Sequence, residues 1–264
     1  MTEQARSVGV ARTAGSWIAV AFDGPAFVEA VATDEIGAIW ARYGEDAELI
    51  VVGVPIGLIG RVDDAGSTGS ARRSDDRSQS AERRCDVLAR ELLGDRARAI
   101  HAPPSREAAR RRRFPAARRV HERTTGAQLT RAAFEQSVAI AAVDELLQEV
   151  PESRSVLRGS HPELAFRAFA DEPLDRDPST AGGYAERMRT LAEHDRDAPP
   201  TVQSAAEAVA DADVPIEGVL AALALGYTAR SDDCTATLRS LPPEPPTDAT
   251  GLPMELVYRS DAPL

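Results

Sequence analysis

The sequence predicts an α/β protein: a mixed sheet with flanking helices and an inserted helical part. Three observations carry this. Residues 7–23, SVGVARTAGSWIAVAFD, read as two strands around a turn at Thr13–Gly15. DEIGAIWARYG then places Ile36, Ile39, Trp40 and Tyr43 at helical spacing. Finally Glu48–Val54 returns as an apolar strand. Strands, then a helix, then a strand is the order of a mixed α/β layer rather than of a bundle or sandwich.

Each element follows from local chemistry. Val8 and Val10 alternate with small residues, and WIAVAF supplies β-formers. Pro25 to Val31 adds a third strand. Asp34 is the expected N-cap of the first helix and Gly44 its stop. Ser80 to Gly94 reads as a helix with Val87, Leu88, Leu92 and Leu93 on its apolar face, and ARAIHAPPSRE as a short strand ended by a double proline. Residues 107–123 form a basic helical run. Leu129 to Val150 is expected to be one long helix, with Phe134, Val138, Ala141, Val143, Leu146 and Leu147 inward. Val156–Arg158 is a short strand, HPELAFRAFA and STAGGYAERMRTLAEH are helices, and Ile216–Ala229 is an apolar helix. A Pro-rich connector precedes a last strand at Met254–Tyr258. No repeat and no clean boundary divides the chain. One domain over 1–264 is expected, with a polar, disordered loop at 63–83 and a helical insertion at 103–155 that carries the basic run.

Composition sets limits. The hydrophobic fraction is 43% and aromatics only 5%, so the core is expected to be Ala, Val, Leu and Ile. The net charge is −11 and every basic residue is arginine. Without lysine there is no GxxxxGK[ST] phosphate loop, no Schiff-base lysine and no lysine general base. Cys85 and Cys234 lack metal-ligand spacing and read as reduced thiols. MTEQARSVGVARTAG lacks the apolar core of a signal peptide, and no stretch of about 18 apolar residues occurs. A cytoplasmic protein with no membrane partner is expected.

Three places could carry chemistry. Between Arg106 and Arg123 stand arginines 106, 110, 111, 112, 113, 118, 119 and 123, against Glu107 and Glu122. Such a cluster either neutralises phosphates of a nucleic acid or other phosphate-bearing ligand, or is a solvated face paired with acids elsewhere. Only Phe114 interleaves, so a base-stacking platform is unsupported. In GSHPELAF, His161 and Glu163 flank a proline that can start a helix, and the pair is either a helix start or a metal or substrate contact. In RRCD, Asp86 and Arg90 have the spacing of a surface helix pair. GxSxG, HExxH, GxGxxG and zinc spacing are absent.

Four ordered stretches extend the reading: VVGVPIGL (51–58); RRCDVLARELLG with AIHAPPSR (83–106); HPELAFRAF (161–169) with GGYAERMRTL (182–191); and VPIEGVLAALALGYTA (214–229) before GLPMELVY (251–258). Together they resemble the predicted RNase H-like nuclease family known as domain of unknown function 429. The resemblance implies an RNase H-like mixed sheet of about five strands. It also implies carboxylates from several elements holding two Mg²⁺ or Mn²⁺ ions for phosphodiester cleavage.

The chain departs from the family pattern at its charges. Where the first strand reads Gly-Val-Asp in the family, this chain has Gly9-Val10-Ala11. The acid of Ile-Asp-x-Pro falls on Gly53, and the acid two residues before His-Pro-Glu on Gly159. A Lys and a Glu of the long helix fall on Ala139 and Ala142, ahead of a retained Asp144. Asp-Asp-Val-Leu-Asp-Ala becomes Glu217-Gly218-Val219-Leu220-Ala221-Ala222, and a Lys before GGYAER falls near Pro178-Ser179. The expected carboxylates at Ala11, Gly53, Gly218 and Ala221 are thus missing. Arg84, Asp86, Arg90, Arg106, His161, Glu163, Arg187 and Glu217 remain. Of the acids, Glu163 and Glu217 are the candidate catalytic and metal-binding residues, enough for one weakly held ion. Arg84, Asp86, Arg90, Arg106, His161 and Arg187 are candidate binding residues. The leading expectation is a pseudoenzyme or weakened nuclease that keeps the fold and a phosphate-binding surface at Arg84, Arg106 and 110–119. The rivals are an active hydrolase with a rearranged site (Glu163, Glu217, Asp86, His161) and a protein-interaction module.

Overall fold

The computed structural model describes residues 6–60, 82–170, 172–231 and 236–264. Residues 63–81 of the polar segment, and Cys234, therefore lie outside the described residues. Arg83, the last residue of that segment, is fully buried.

β1 (Arg6–Thr13), β2 (Ser16–Asp23) and β3 (Ala26–Thr33) form an antiparallel meander. The first hairpin turns through Ala14 and Gly15, both at positive φ, 48° and 90°. After α1 (Ile36–Tyr43), β4 (Ala47–Val52) pairs parallel to β1, and β5 (Leu157–Gly159) parallel to β4. The sheet is five-stranded, in the order β3-β2-β1-β4-β5. This is the mixed sheet expected and is consistent with an RNase H-like fold.

The remaining helices are α2 (Arg84–Leu93), α3 (Arg106–Ala109), α4 (Phe114–Thr125), α5 (Arg131–Glu135), α6 (Ser137–Glu149), α7 (Ser153–Val156), α8 (Pro162–Phe169), α9 (Ala181–His194), α10 (Ala198–Ala208) and α11 (Ile216–Ala229). Period-two alternation divides the strand residues between two layers. Ala11, Ile18, Val20 and Val51 pack toward α8, α10 and α11. Val8, Val10, Ala19, Ala21, Ile50 and Val52 pack toward α1 and α6, where Ile140, Val143 and Leu147 meet them. Gly9 lets α11 lie against β1, because a Cβ there would stand 1.9 Å from the Gly226 nitrogen.

Several expectations are corrected. The first helix begins at Ile36 after Glu35, so Asp34 is not its N-cap. Residues 94–99 form a 3-10 turn rather than a strand. The basic run is two helices with 110–113 between them, because Pro115 is tolerated in the first turn of α4 but in the interior of one continuous helix would clash with the carbonyl four residues before it and offer it no N–H. The long helix breaks at Gln136, whose N–H bonds back three residues to the Ala133 oxygen. Its inner face is Ala139, Ile140, Val143, Asp144 and Leu147, while Val138 is 70% exposed. The inner face of α2 is Cys85, Asp86, Ala89 and Leu93. α10, over residues to which the sequence reading assigns no element, carries Pro199 and Pro200 in its first turn, where an N–H has no partner to lose. The last strand, β7 (Leu256–Ser260), pairs with β6 (Thr237–Leu241) in a separate two-stranded sheet. No helix among the described residues is long and apolar enough to cross a membrane.

Candidate functional site

β1 and β4 are parallel, with Val10 beside Val52. One further step along that register brings Ala11 beside Gly53 at the carboxyl ends of two neighbouring strands, and the Gly53 N–H donates to the Val10 oxygen at 2.8 Å. Ligand sites of open α/β sheets lie at such strand ends. On α11, Gly218 and Ala221 are three residues apart and face the same place. All four positions line one cavity of about 270 Å³, together with His161, Glu163, Arg187 and Glu217. Arg12, Thr13, Arg96 and Gln136 also line it. Gly159 does not; a Cβ there would meet the Ile56 nitrogen and the Val54 oxygen, both at 3.2 Å.

The two glycines of the cleft offer unequal space for a side chain. A Cβ on Gly53 would touch Leu225 Cδ1 at 3.0 Å, the movable end of a side chain. A Cβ on Gly218 would stand 2.3 Å from Thr13 Cγ2. Thr13 therefore occupies the volume that an acid at 218 would need.

Glu163 is buried and already engaged. Its Oε1 accepts from Arg187 Nη2 at 2.5 Å, and Arg96 Nε stands 3.7 Å from its Oε2. Arg187 also donates to the Arg176 and Gly183 oxygens at 3.1 and 3.2 Å, which fixes it in place. Glu217 is half-buried and makes no hydrogen bond or ion pair among the described residues. His161 is the N-cap of α8: its Nδ1 accepts from the Glu163 N–H at 3.2 Å. Burial lowers the His161 pKa, against the opposing pull of Glu163 and Asp86, so the ring stays neutral at neutral pH. With Nδ1 used in this way, His161 acts as a helix cap.

Two Mg²⁺ or Mn²⁺ ions need several convergent oxygen ligands. Among the described residues no three His, Cys, Asp or Glu side chains gather closely enough for a metal ion. One oxygen of Glu163 is bonded to Arg187, which leaves Glu217 as the only other carboxylate lining the cleft among the described residues. This donor set does not fit a two-metal centre.

The other candidate binding residues sit elsewhere. Asp86 is buried and takes both Arg83 Nε and Nη2, at 2.8 and 2.5 Å, so its partner is Arg83 rather than Arg90. Arg83 Nη1 also donates to the Ile56 and Gly57 oxygens at 2.7 and 3.0 Å. This pair clamps the Pro55–Leu58 turn, where Gly57 takes a positive φ of 72°. Arg90 pairs with Glu82. Arg84 is exposed and lines a different, more apolar cavity. Arg106 is buried, bonded through Nη2 to Asp144 at 2.9 Å and to Asp248 at 2.6 Å. Asp248 in turn accepts from the Leu58 N–H at 2.9 Å. The expected phosphate surface therefore cannot include Arg106, whereas arginines 110–113, 118, 119 and 123 are exposed. Cys85 is a free buried thiol, pushed up to about 12 mainly by burial, and is no nucleophile.

Arg83, Asp248, Arg12 and Arg96 escaped the sequence reading. Arg83 is the first residue of the quoted RRCD, where the spacing matches Asp86 with Arg90 instead, and Arg12 directly follows Gly9-Val10-Ala11. Nothing local marks Arg96 or Asp248, which act through contacts distant in sequence.

One comparison with known proteins gives a match. The family model described as Protein of unknown function (DUF429) matches residues 9–247. The chain belongs to that family. No curated protein and no solved structure matches it.

Proposed function

We propose that this DUF429 chain is a non-catalytic relative of RNase H-like nucleases, a cytoplasmic protein that keeps the nuclease frame and contacts phosphate without cleaving it. One observation supports this above the others. Ala11, Gly53, Gly218 and Ala221 meet in a single cleft whose one buried acid, Glu163, is bonded to Arg187. Four independent replacements scattered over the molecule would have no common consequence. Gathered at two strand ends and one helix, they remove the ligands of one centre, and Thr13 fills part of the room. Metal affinity follows ligand number, so most of the rate goes with the carboxylates.

The exposed arginines on and before α4 fit the second half of the reading. Seven of them, 110–113, 118, 119 and 123, present positive charge to solvent on an acidic chain. Phosphate contact there would weaken steeply with salt.

The test is cleavage of labelled single-stranded, duplex and hybrid substrates with Mg²⁺ or Mn²⁺. The expected result is no turnover above the metal-only control. Metal-dependent turnover lost in Glu163→Gln would support the rival active hydrolase and overturn this reading.

A further inference from the structure

We propose that the cleft is a metal-free anion site for the phosphate group of a small phosphomonoester. The proposal rests on the reading that the centre has no metal, and supplies what takes the metal's place. In a two-metal site the ions carry the positive charge that holds phosphate. Here three features of the chain supply positive charge at the same spot.

The first is a pair of helix N-termini. Pro162 and Glu163 of α8 and Glu217 and Gly218 of α11 border the cleft, so the positive ends of both helix dipoles face it. The cap of α8 is closed by His161, but the cap of α11 is Pro215, which offers no side-chain acceptor to the first-turn N–H groups. The second is Arg96, only 6% exposed and among the residues lining the cleft, whose buried Nε has no hydrogen-bond partner among the described residues. At 3.7 Å from Glu163 Oε2 it is too far for a hydrogen bond, and Glu163 is already held by Arg187. A buried guanidinium with an unused donor is costly unless a ligand completes it. The third is Arg12, half-buried over the Trp17 ring, its pKa lowered by burial against the pull of Asp34. A partly desolvated cation binds an anion more strongly than a fully hydrated one. Against Arg12 and Arg96 stands Glu217 alone, once Arg187 and Glu163 are paired.

Size selects the ligand. The cleft shares Arg12, Thr13, Gly53 and Gln136 with a second cavity of about 400 Å³, one wall of which is Val138. The combined space exceeds an inorganic ion and suits a phosphate carrying an organic body of nucleoside size.

Calorimetric titration in excess EDTA, with inorganic phosphate and with AMP as probes, tests this. Saturable one-site binding of both is expected, tighter for AMP. Arg96→Gln should weaken both by about tenfold, the loss of a charged hydrogen bond. Arg12→Gln should weaken both as well, and Arg96→Lys should restore part of the loss. Glu217→Gln should strengthen binding several-fold, whereas a metal-binding role for Glu217 predicts no gain. Arg12 and Glu217 are half-buried, so these two variants report even if Arg96→Gln does not fold. Absence of saturable binding, unchanged affinity in folded Arg12→Gln and Arg96→Gln, or binding only after divalent metal is added would overturn the proposal. Phosphate binding without AMP binding would contradict the organic body. Metal-dependent cleavage contradicts the non-catalytic reading instead, so the two failures are distinguishable.

Discussion

The cleft and the frame beneath it treat charge in opposite ways. In the frame, Arg83 with Asp86, Arg106 with Asp144 and Asp248, and Arg158 with Glu255 are each buried at least in part and matched. These pairs tie the Pro55–Leu58 turn, α2, α3, α6 and the segment before β7 together. In the cleft, Ala11, Gly53, Gly218 and Ala221 carry no charge, and the buried acid Glu163 is bonded to Arg187. Paired charges are neutralised by the protein itself and lose nothing when a metal is absent. Clustered carboxylates repel one another unless a metal sits among them. On the proposed reading, a chain that does without the metal drops the second kind and retains the first.

The contrast is broken or sharpened by substitution, beginning with the frame. Asp86→Ala leaves Arg83 buried and uncompensated, and should cost about 3–5 kcal/mol in denaturant unfolding. A loss under about 1 kcal/mol would mean the frame charges are as dispensable as those of the cleft. Glu163→Gln comes next. The amide still accepts from Arg187 but the charge is lost, so about 2 kcal/mol is expected. Asp248→Asn should cost about 1–2 kcal/mol near neutrality. Burial works to raise the Asp248 pKa, but the Leu58 N–H and Arg106 outweigh it and the net shift is downward. Its stabilisation is therefore complete above the ordinary carboxylate range and lost as pH falls through the lower folded value. The variant should flatten the acid limb of the stability profile.

The smallest effect belongs to His161. Burial holds its pKa below the ordinary imidazole value of about 6.5, so the unfolded chain takes up the proton first. Stability should be full above that value and fall as pH drops from it toward the folded value. His161→Asn, which keeps an N-cap, should remove part of this slope, a change under about 1 kcal/mol. His121, shifted the same way by burial and accepting from the Ser105 N–H, should account for another part.

Much of this was legible in the sequence. The strand alternation in residues 7–23, the turn at Thr13–Gly15 and the apolar helix over 216–229 are local patterns, and each forms where its residues place it. The convergence of Ala11, Gly53, Gly218 and Ala221 was a consequence of motif order, because parallel pairing of β1 and β4 puts two of them side by side. What escaped was non-local or masked by prolines. Arg106 reads as one arginine of a basic run, yet its partners are 38 and 142 residues away. The α10 helix hides behind a double proline that its first turn tolerates. Val138 reads as core by spacing, but the break at Gln136 turns the helix and exposes it.

On the proposed reading, the centre of this fold holds no metal because its ligands are gone. Mn²⁺ titration of the wild-type chain beside an Ala11→Asp, Gly53→Asp, Ala221→Asp variant tests it most directly. The wild type is expected to show no saturable binding at millimolar Mn²⁺, and the variant measurable binding. Stoichiometric Mn²⁺ binding by the wild type, abolished in Glu163→Gln, would contradict it.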